Sequence, residues 1–184
     1  MMSARIAPPM IGVGLLEAIS AKDTLSLADP EDQNNDGISG KANQVWDLIK
    51  QKSSLGRFGW KAGQPSVLQQ NADAFSGDLG IASPIFNTLS GDCTQAQTTC
   101  INAPHGGSVE HDNAEISNEG LKLVNFYSRN LALQKREEAN NPVVLAGKAL
   151  FYQSGCADCH QPSYTTSEKA NVEQAGQRIW PYTD

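Results

Sequence analysis

The feature that most constrains this chain is the pentapeptide Cys156-Ala157-Asp158-Cys159-His160. It contains two of the four cysteines and one of the three histidines among 184 residues. A CxxCH segment is the attachment pattern of c-type haem, in which two thiols bond to the vinyl groups and the adjacent imidazole ligates iron. The same CxxC pair also serves redox dithiols and zinc sites, but no cysteine or histidine follows His160 to complete a zinc site. The motif therefore predicts haem c, bound covalently by Cys156 and Cys159 and ligated by His160.

A helix is predicted to lead directly into this motif. Pro142 is suited to the first helical turn, and apolar residues then recur at helical spacing on one face, namely Val143, Ala146, Leu150 and Phe151. We expect exposed apolar surface along residues 146–151 if nothing covers this helix, and such a surface favours a homodimer.

The rest of the chain predicts a mainly α, loop-rich fold. Pro8-Pro9 is expected to open one helix, Pro65 another that runs to about Leu79, and Ser117 to cap a third. No strand pattern stands out. We expect residues 1–140 to form a helical and loop-rich region, and residues 141–184 to form the N-terminal part of a cytochrome c-like domain.

A second candidate site is the acidic loop from Asp32 to Ile38. Side-chain oxygens at Asp32, Asn34 and Asp36, a glycine at the sixth position and the carbonyl of Ile38 match the first half of a calcium-binding EF-hand loop. The twelfth position is Asn43 and not the usual glutamate. The alternative is a turn held by hydrogen bonds from backbone N–H groups to these side chains.

The two remaining cysteines, Cys93 and Cys100, are close enough in sequence to form a disulfide. Closing so short a loop stabilises the fold by about 2.5 kcal/mol in the chain-entropy estimate. The alternative is two free thiols. An oxidising compartment, where c-type haem is attached, favours the disulfide.

The charge of the chain limits its partners. The formal net charge is −6 at pH 7, which gives no support for binding nucleic acid or anionic membranes. The apolar run ending at Ile19 is too short to span a bilayer. The three tryptophans, Trp46, Trp60 and Trp180, are candidates for an electron relay, although buried or interface positions are the more common role of such residues.

Several segments together resemble the bacterial di-haem oxidoreductase family, whose members are labelled thiol oxidoreductases and are related to di-haem cytochrome c peroxidases and MauG. The segments that carry the resemblance follow in the family's order: Arg5–Pro9, Gly12–Glu17, Asp36–Gly40, Gly56–Ala62 and Gly155–His160. Members are longer and carry a further CxxCH. The resemblance thus implies that this chain is a middle section, with one haem motif and an incomplete cytochrome c domain.

The resemblance implies a periplasmic redox enzyme that is peroxidase-like, with a small oxidant such as peroxide and a redox partner that gives or takes electrons. Because it has one haem motif and an incomplete cytochrome c domain, this chain alone is expected to be catalytically incomplete. The alternatives are a non-catalytic mono-haem electron-transfer module and a haem-free scaffold stabilised by calcium and a disulfide. The second axial ligand of the iron also stays open, with Met10, His105 and His111 as the candidates outside the motif.

Overall fold

The computed structural model describes residues 9–183 of the chain. Its regular structure is mainly helical, as the sequence predicts. The six α-helices in the described residues are α1 (Val13–Glu17), α2 (Ala21–Leu25), α3 (Val67–Leu79), α4 (Thr98–Ile101), α5 (Asn118–Asn130) and α6 (Pro142–Gln153). Four short strands are also present in the described residues, although the sequence shows no convincing strand pattern: β1 (Gln44–Asp47), β2 (Lys52–Leu55), β3 (Tyr164–Thr165) and β4 (Arg178–Ile179).

The described residues form two compact units. The first contains Pro9, Met10 and Asn43–Asn130, and the second contains Ile11–Ala42 and residues 131–183. The division at residue 140 that the sequence suggests stays a prediction. Among the helices described, none combines the length and the apolar character needed to cross a membrane.

Helices α3 and α5 form the centre of the first unit, where they pack against each other. The Ser66 hydroxyl caps α3 by accepting a hydrogen bond from the N–H of Gln69 (3.2 Å), and Ser117 caps α5 through the N–H of Gly120 (3.1 Å). Val67 and Leu121 are almost completely buried. The predicted helices at α3 and α5 are thus confirmed, although α3 begins at Val67 and not at Pro65. Tyr127, which the spacing places on the apolar face of α5, is instead exposed.

Strands β1 and β2 form an antiparallel hairpin in the same unit, with Trp46 opposite Ser53. Successive side chains of a strand point to opposite faces, so Asp47 is buried while Trp46 is exposed. The Gln69 side chain ties the hairpin to α3. It accepts a hydrogen bond from the N–H of Leu48 (2.9 Å) and donates one to the carbonyl of Trp46 (3.1 Å).

The loop that follows β2 has a backbone that requires glycine at one position. Gly59 has φ 73° and ψ −170°, a region that is essentially closed to other residues. A Cβ at Gly59 would lie 2.3 Å from Oε1 of Gln70. The loop therefore depends on a glycine for its backbone angles, whereas the flexible end of the Gln70 side chain can move away from a Cβ.

The tip of this loop is held against the residue that precedes β1. Lys61 and Ala62 both have positive φ, 55° and 51°. The Asn43 side-chain amide donates hydrogen bonds to the carbonyls of both residues, each at 3.1 Å. These bonds hold a strained turn that presents Trp60 and Lys61 to solvent.

The second unit has a small core. Ile19, Tyr164 and Ile179 are buried together, with Leu15 and Leu16 packed against them. Helix α1 begins at Val13 and not at the proline pair, because Gly12 has φ 77°. Pro8 and the rest of the Arg5–Pro8 segment lie outside the described residues.

Candidate functional site

The cysteine–histidine motif lies on a tight turn at the end of α6. Asn141 begins the helix by accepting a hydrogen bond from the N–H of Val143 (2.9 Å). Gly155, with φ 75°, turns the chain out of the helix, and Cys156–Asp158 form a single 3-10 turn. The N–H of His160 then donates to the carbonyl of Cys156 (2.9 Å). This bond brings the backbone of all five motif residues into one turn.

The reactive groups of the motif are accessible. Cys156 and Cys159 are both free thiols and both exposed, and His160 is exposed as well. The described residues contain no group of three or more His, Cys, Asp or Glu side chains arranged to hold a metal ion. Both thiols and the imidazole of the motif are open to solvent.

Phe151 is the centre of an aromatic cluster beside the motif. Its ring lies 5.2 Å from that of Tyr182 and 5.8 Å from that of Tyr152, both in edge-to-face geometry, and 6.4 Å from the imidazole of His160. Partial burial of the Tyr152 phenol and its hydrogen bond with Tyr182 raise the pKa of Tyr152. The cluster gives the imidazole an apolar neighbour on the helix side.

The position of Tyr182 depends on pairing between distant parts of the second unit. Strands β3 and β4 pair with Tyr164 opposite Ile179. An isolated bridge between Gln161 and Thr183 extends the pairing, and the N–H of Gln161 donates to the carbonyl of Thr183 (2.9 Å). Sequence spacing alone does not reveal this pairing, so Tyr182 was missing from the predicted site.

Helix α6 itself is exposed over its whole length. None of its twelve residues, all of which the structure describes, is buried. Val143 is 78% exposed and Leu150 is 60% exposed, while Phe151 is half-buried. The predicted apolar face is therefore present and available to a flat apolar ligand or to another surface.

The acidic loop is closed by hydrogen bonds from its own backbone. Asp32, with φ 50°, accepts bonds from the N–H groups of Asp36 (3.0 Å) and Gly37 (3.1 Å). Asp36 in turn accepts a bond from the N–H of Ile38 (2.8 Å) and one from the side chain of Asn34 (2.8 Å). This is the hydrogen-bonded turn given above as the alternative, and the calcium site stays a prediction.

Cys93 and Cys100 form a disulfide, which confirms the predicted pairing. The disulfide lies in the first unit, within a long segment with little regular structure. Glu115 supports the same segment, because its carboxylate accepts hydrogen bonds from the N–H groups of Ala82 (2.9 Å) and Gly106 (2.8 Å). These two bonds, helped by the nearby His105, lower the pKa of Glu115 although burial acts to raise it.

The candidate residues outside the motif have exposed or only partly buried side chains. His105 and His111 are exposed in the first unit, and Met10 is partly buried there. Their proposed role as a second axial ligand stays a prediction. The three tryptophans are each more than half exposed, so they are not core residues, and an interface position or an electron relay stays a prediction.

Comparison with known proteins identifies the family. The family model described as "Di-haem oxidoreductase, putative peroxidase" matches residues 1–184. No curated protein and no solved structure matches the chain. The match confirms the resemblance drawn from the glycine-rich segments and the CxxCH motif, and the family name implies haem. The chain belongs to the di-haem oxidoreductase family.

Proposed function

We propose that this chain is a haem c-binding segment of a periplasmic, peroxidase-like redox enzyme. The observation that carries the proposal is the exposed turn at the end of α6, where two free thiols and one imidazole stand together. Cys156 and Cys159 would hold the haem through thioether bonds, and His160 would be the proximal iron ligand. A bound haem supplies one-electron chemistry at iron and, where a coordination position is open, a site for peroxide.

The residues around the motif support this assignment because they form an apolar surface beside it. Phe151 and the exposed apolar side chains of α6 provide a surface on which a macrocycle can lie. The Phe151 ring, 6.4 Å from the imidazole, gives His160 an apolar neighbour on the side of α6.

The proposal is tested by producing the chain in a bacterial periplasm together with the enzymes that attach haem to CxxCH motifs. We expect a pyridine haemochrome spectrum of haem c and a mass increase of one haem. The double variant Cys156→Ala/Cys159→Ala should lose both signals. The matched variant Cys93→Ala/Cys100→Ala, which also removes two cysteines, should keep them. An unmodified mass for the wild-type chain under these conditions would contradict the proposal.

The alternative is a non-catalytic mono-haem electron-transfer module. The single CxxCH motif of the chain favours it. Peroxide turnover by the haem-loaded chain distinguishes the two. Turnover above that of free haem supports the enzyme, whereas reversible reduction without turnover supports the electron-transfer module. The same preparation shows by sedimentation whether the exposed face of α6 supports the predicted homodimer.

Calcium binding is proposed as a structural feature of the loop Asp32–Ile38. Three side chains and one carbonyl in this loop are of the type that calcium prefers. We expect calcium to raise the melting temperature of the wild-type chain and to have no effect on Asp32→Asn/Asp36→Asn. An equal response of both proteins would assign the loop to the hydrogen-bonded turn alone.

A further inference from the structure

Tyr182 has a backbone conformation that few residues other than glycine adopt. Its φ is 52°, in the left-handed region, where a bulky side chain strains the backbone. Before it in the chain, Ile179 of β4 is buried opposite Tyr164. After it, the carbonyl of Thr183 accepts a hydrogen bond from the N–H of Gln161 (2.9 Å). Strained residues that the surrounding structure holds in place are concentrated at functional sites.

The ring of Tyr182 packs against Phe151. The two ring centroids are 5.2 Å apart and the ring planes are perpendicular (90°), which is a favourable edge-to-face contact. Phe151 in turn lies 6.4 Å from the imidazole of His160. Phe151 and Val144 are the only residues of α6 that are not exposed, and the structure describes all twelve residues of that helix. Tyr182 therefore helps to cover the α6 side chain that neighbours His160.

We propose that Tyr182 is a positioning residue for the haem ligand: its ring holds Phe151 beside His160 and keeps water from that side of the imidazole. The inference rests on the proposed haem c site. Apolar side chains around a metal ligand control the access of water and the local dielectric, and through them the reduction potential. Water stabilises the ferric form, which carries the greater positive charge, more than the ferrous form. Removing the ring should therefore lower the reduction potential of the haem.

The first test measures the reduction potential of the haem-loaded full chain by redox titration followed in the haem absorbance. Tyr182→Gly tolerates the positive φ and removes the ring, and it should lower the equilibrium constant for reduction by about threefold to tenfold, or about 30–60 mV. Tyr182→Phe keeps the ring and should stay within about twofold of the wild type. Trp180→Gly is the matched control, because it removes an exposed ring two residues away, and it should also stay within about twofold.

A double-mutant cycle tests whether Tyr182 acts through Phe151. Phe151→Ala should lower the equilibrium constant at least as much as Tyr182→Gly, since it removes the ring that neighbours the imidazole. The double variant Phe151→Ala/Tyr182→Gly should then lose about as much as Phe151→Ala alone. Additive losses would show that Tyr182 acts independently of Phe151 and would overturn the proposal.

A second measurement needs no haem. Hydrogen–deuterium exchange at the C2 carbon of each imidazole, read by peptide mass spectrometry, reports how freely water reaches each histidine. In the haem-free chain, Tyr182→Gly should raise the exchange rate at His160 by about twofold or more. His105 and His111, which lie in the first unit, are internal controls and should not change. This measurement decides the proposal even if the wild-type chain attaches no haem, a result that would refute only the proposed function.

Two further results would overturn the proposal. The first is an unchanged exchange rate at His160 in Tyr182→Gly, or an unchanged reduction potential in that variant once haem is attached. The second is an equal loss in Tyr182→Phe and Tyr182→Gly, because it would assign the effect to the hydroxyl, which hydrogen-bonds with Tyr152, and not to the ring. Circular dichroism and the pyridine haemochrome spectrum confirm that each variant is folded and loaded. Tyr182→Asn, whose side chain also tolerates a positive φ, replaces Tyr182→Gly if that variant does not fold.

Discussion

Asp47 is the residue whose replacement tests the packing of the first unit most directly. Its side chain is 2% exposed and forms an ion pair with Lys50 at 2.9 Å. Its oxygens also accept hydrogen bonds from the N–H groups of Ile49 (3.0 Å) and Lys50 (2.9 Å), and one at 3.4 Å from the hydroxyl of Ser54. Burial acts to raise the pKa of Asp47, but the bonds and charge of Lys50 and the bond from Ile49 outweigh it, so the pKa is lowered.

The cost of Asp47→Asn follows from these contacts. The Lys50 ammonium is 58% exposed, so the ion pair contributes only about 0.5 kcal/mol. Replacing a charged acceptor by a neutral amide oxygen weakens the two backbone hydrogen bonds by about 1 kcal/mol in all. The weak bond from Ser54 adds about 0.5 kcal/mol. We expect a loss of about 2 kcal/mol in the free energy of unfolding at neutral pH.

The pH dependence has a definite sign. A carboxyl group with a lowered pKa in the folded state stabilises the fold above its unfolded pKa, about 4. This contribution is lost as the pH falls through the folded pKa. The difference between wild type and Asp47→Asn should therefore shrink as the pH is lowered from about 7 to about 2.

Urea unfolding followed by tryptophan fluorescence measures this difference. The Trp180→Phe background leaves Trp46 and Trp60, both in the first unit, as the only emitters. Asp78→Asn on the exposed end of α3 is the matched control and should change stability by less than about 0.5 kcal/mol. The reasoning would be refuted if Asp47→Asn lost no more free energy of unfolding than Asp78→Asn, or if its loss did not depend on pH.

Two further predictions concern the same unit. Gly59→Ala should lower the free energy of unfolding by about 1–3 kcal/mol because of its backbone angles. Gly77→Ala, in a helix with open space around it, should raise the free energy of unfolding by about 0.5–1 kcal/mol. Urea unfolding of both variants checks this, and equal effects would contradict it. Reducing the disulfide between Cys93 and Cys100 should lower the free energy of unfolding by about 2.5 kcal/mol. The shift of the urea midpoint on addition of dithiothreitol measures this loss. An unchanged midpoint would show that the loop is held without the disulfide.

The three longest helices in the described residues could be predicted because their signals are local. Serine caps precede α3 and α5, α6 begins at Pro142, and apolar residues recur at helical spacing within each. The disulfide followed from a short separation and from the compartment that haem attachment implies.

The features that the sequence did not predict depend on contacts between residues that are far apart in the chain. The β1–β2 hairpin has only four residues in each strand, and its orientation is fixed by Gln69 of α3 rather than by an alternating pattern. Tyr182 joins the haem-motif cluster through strand pairing near Gln161. Trp46 is exposed because the adjacent Asp47 occupies the interior position of β1. None of these contacts is encoded in a local spacing.

Helix α6 uses its apolar side chains differently from α3 and α5. Val67 and Leu121 are buried in the first unit, yet α6 has no buried residue although Lys148 is its only charged side chain. A helix of this length is marginal in water without tertiary packing, and burying apolar surface contributes about 25 cal/mol per Å². A haem attached at Cys156 and Cys159 would lie at the end of α6 and could cover part of its apolar face. The cofactor would then complete the packing of the helix that presents it, so that attachment and local folding depend on each other.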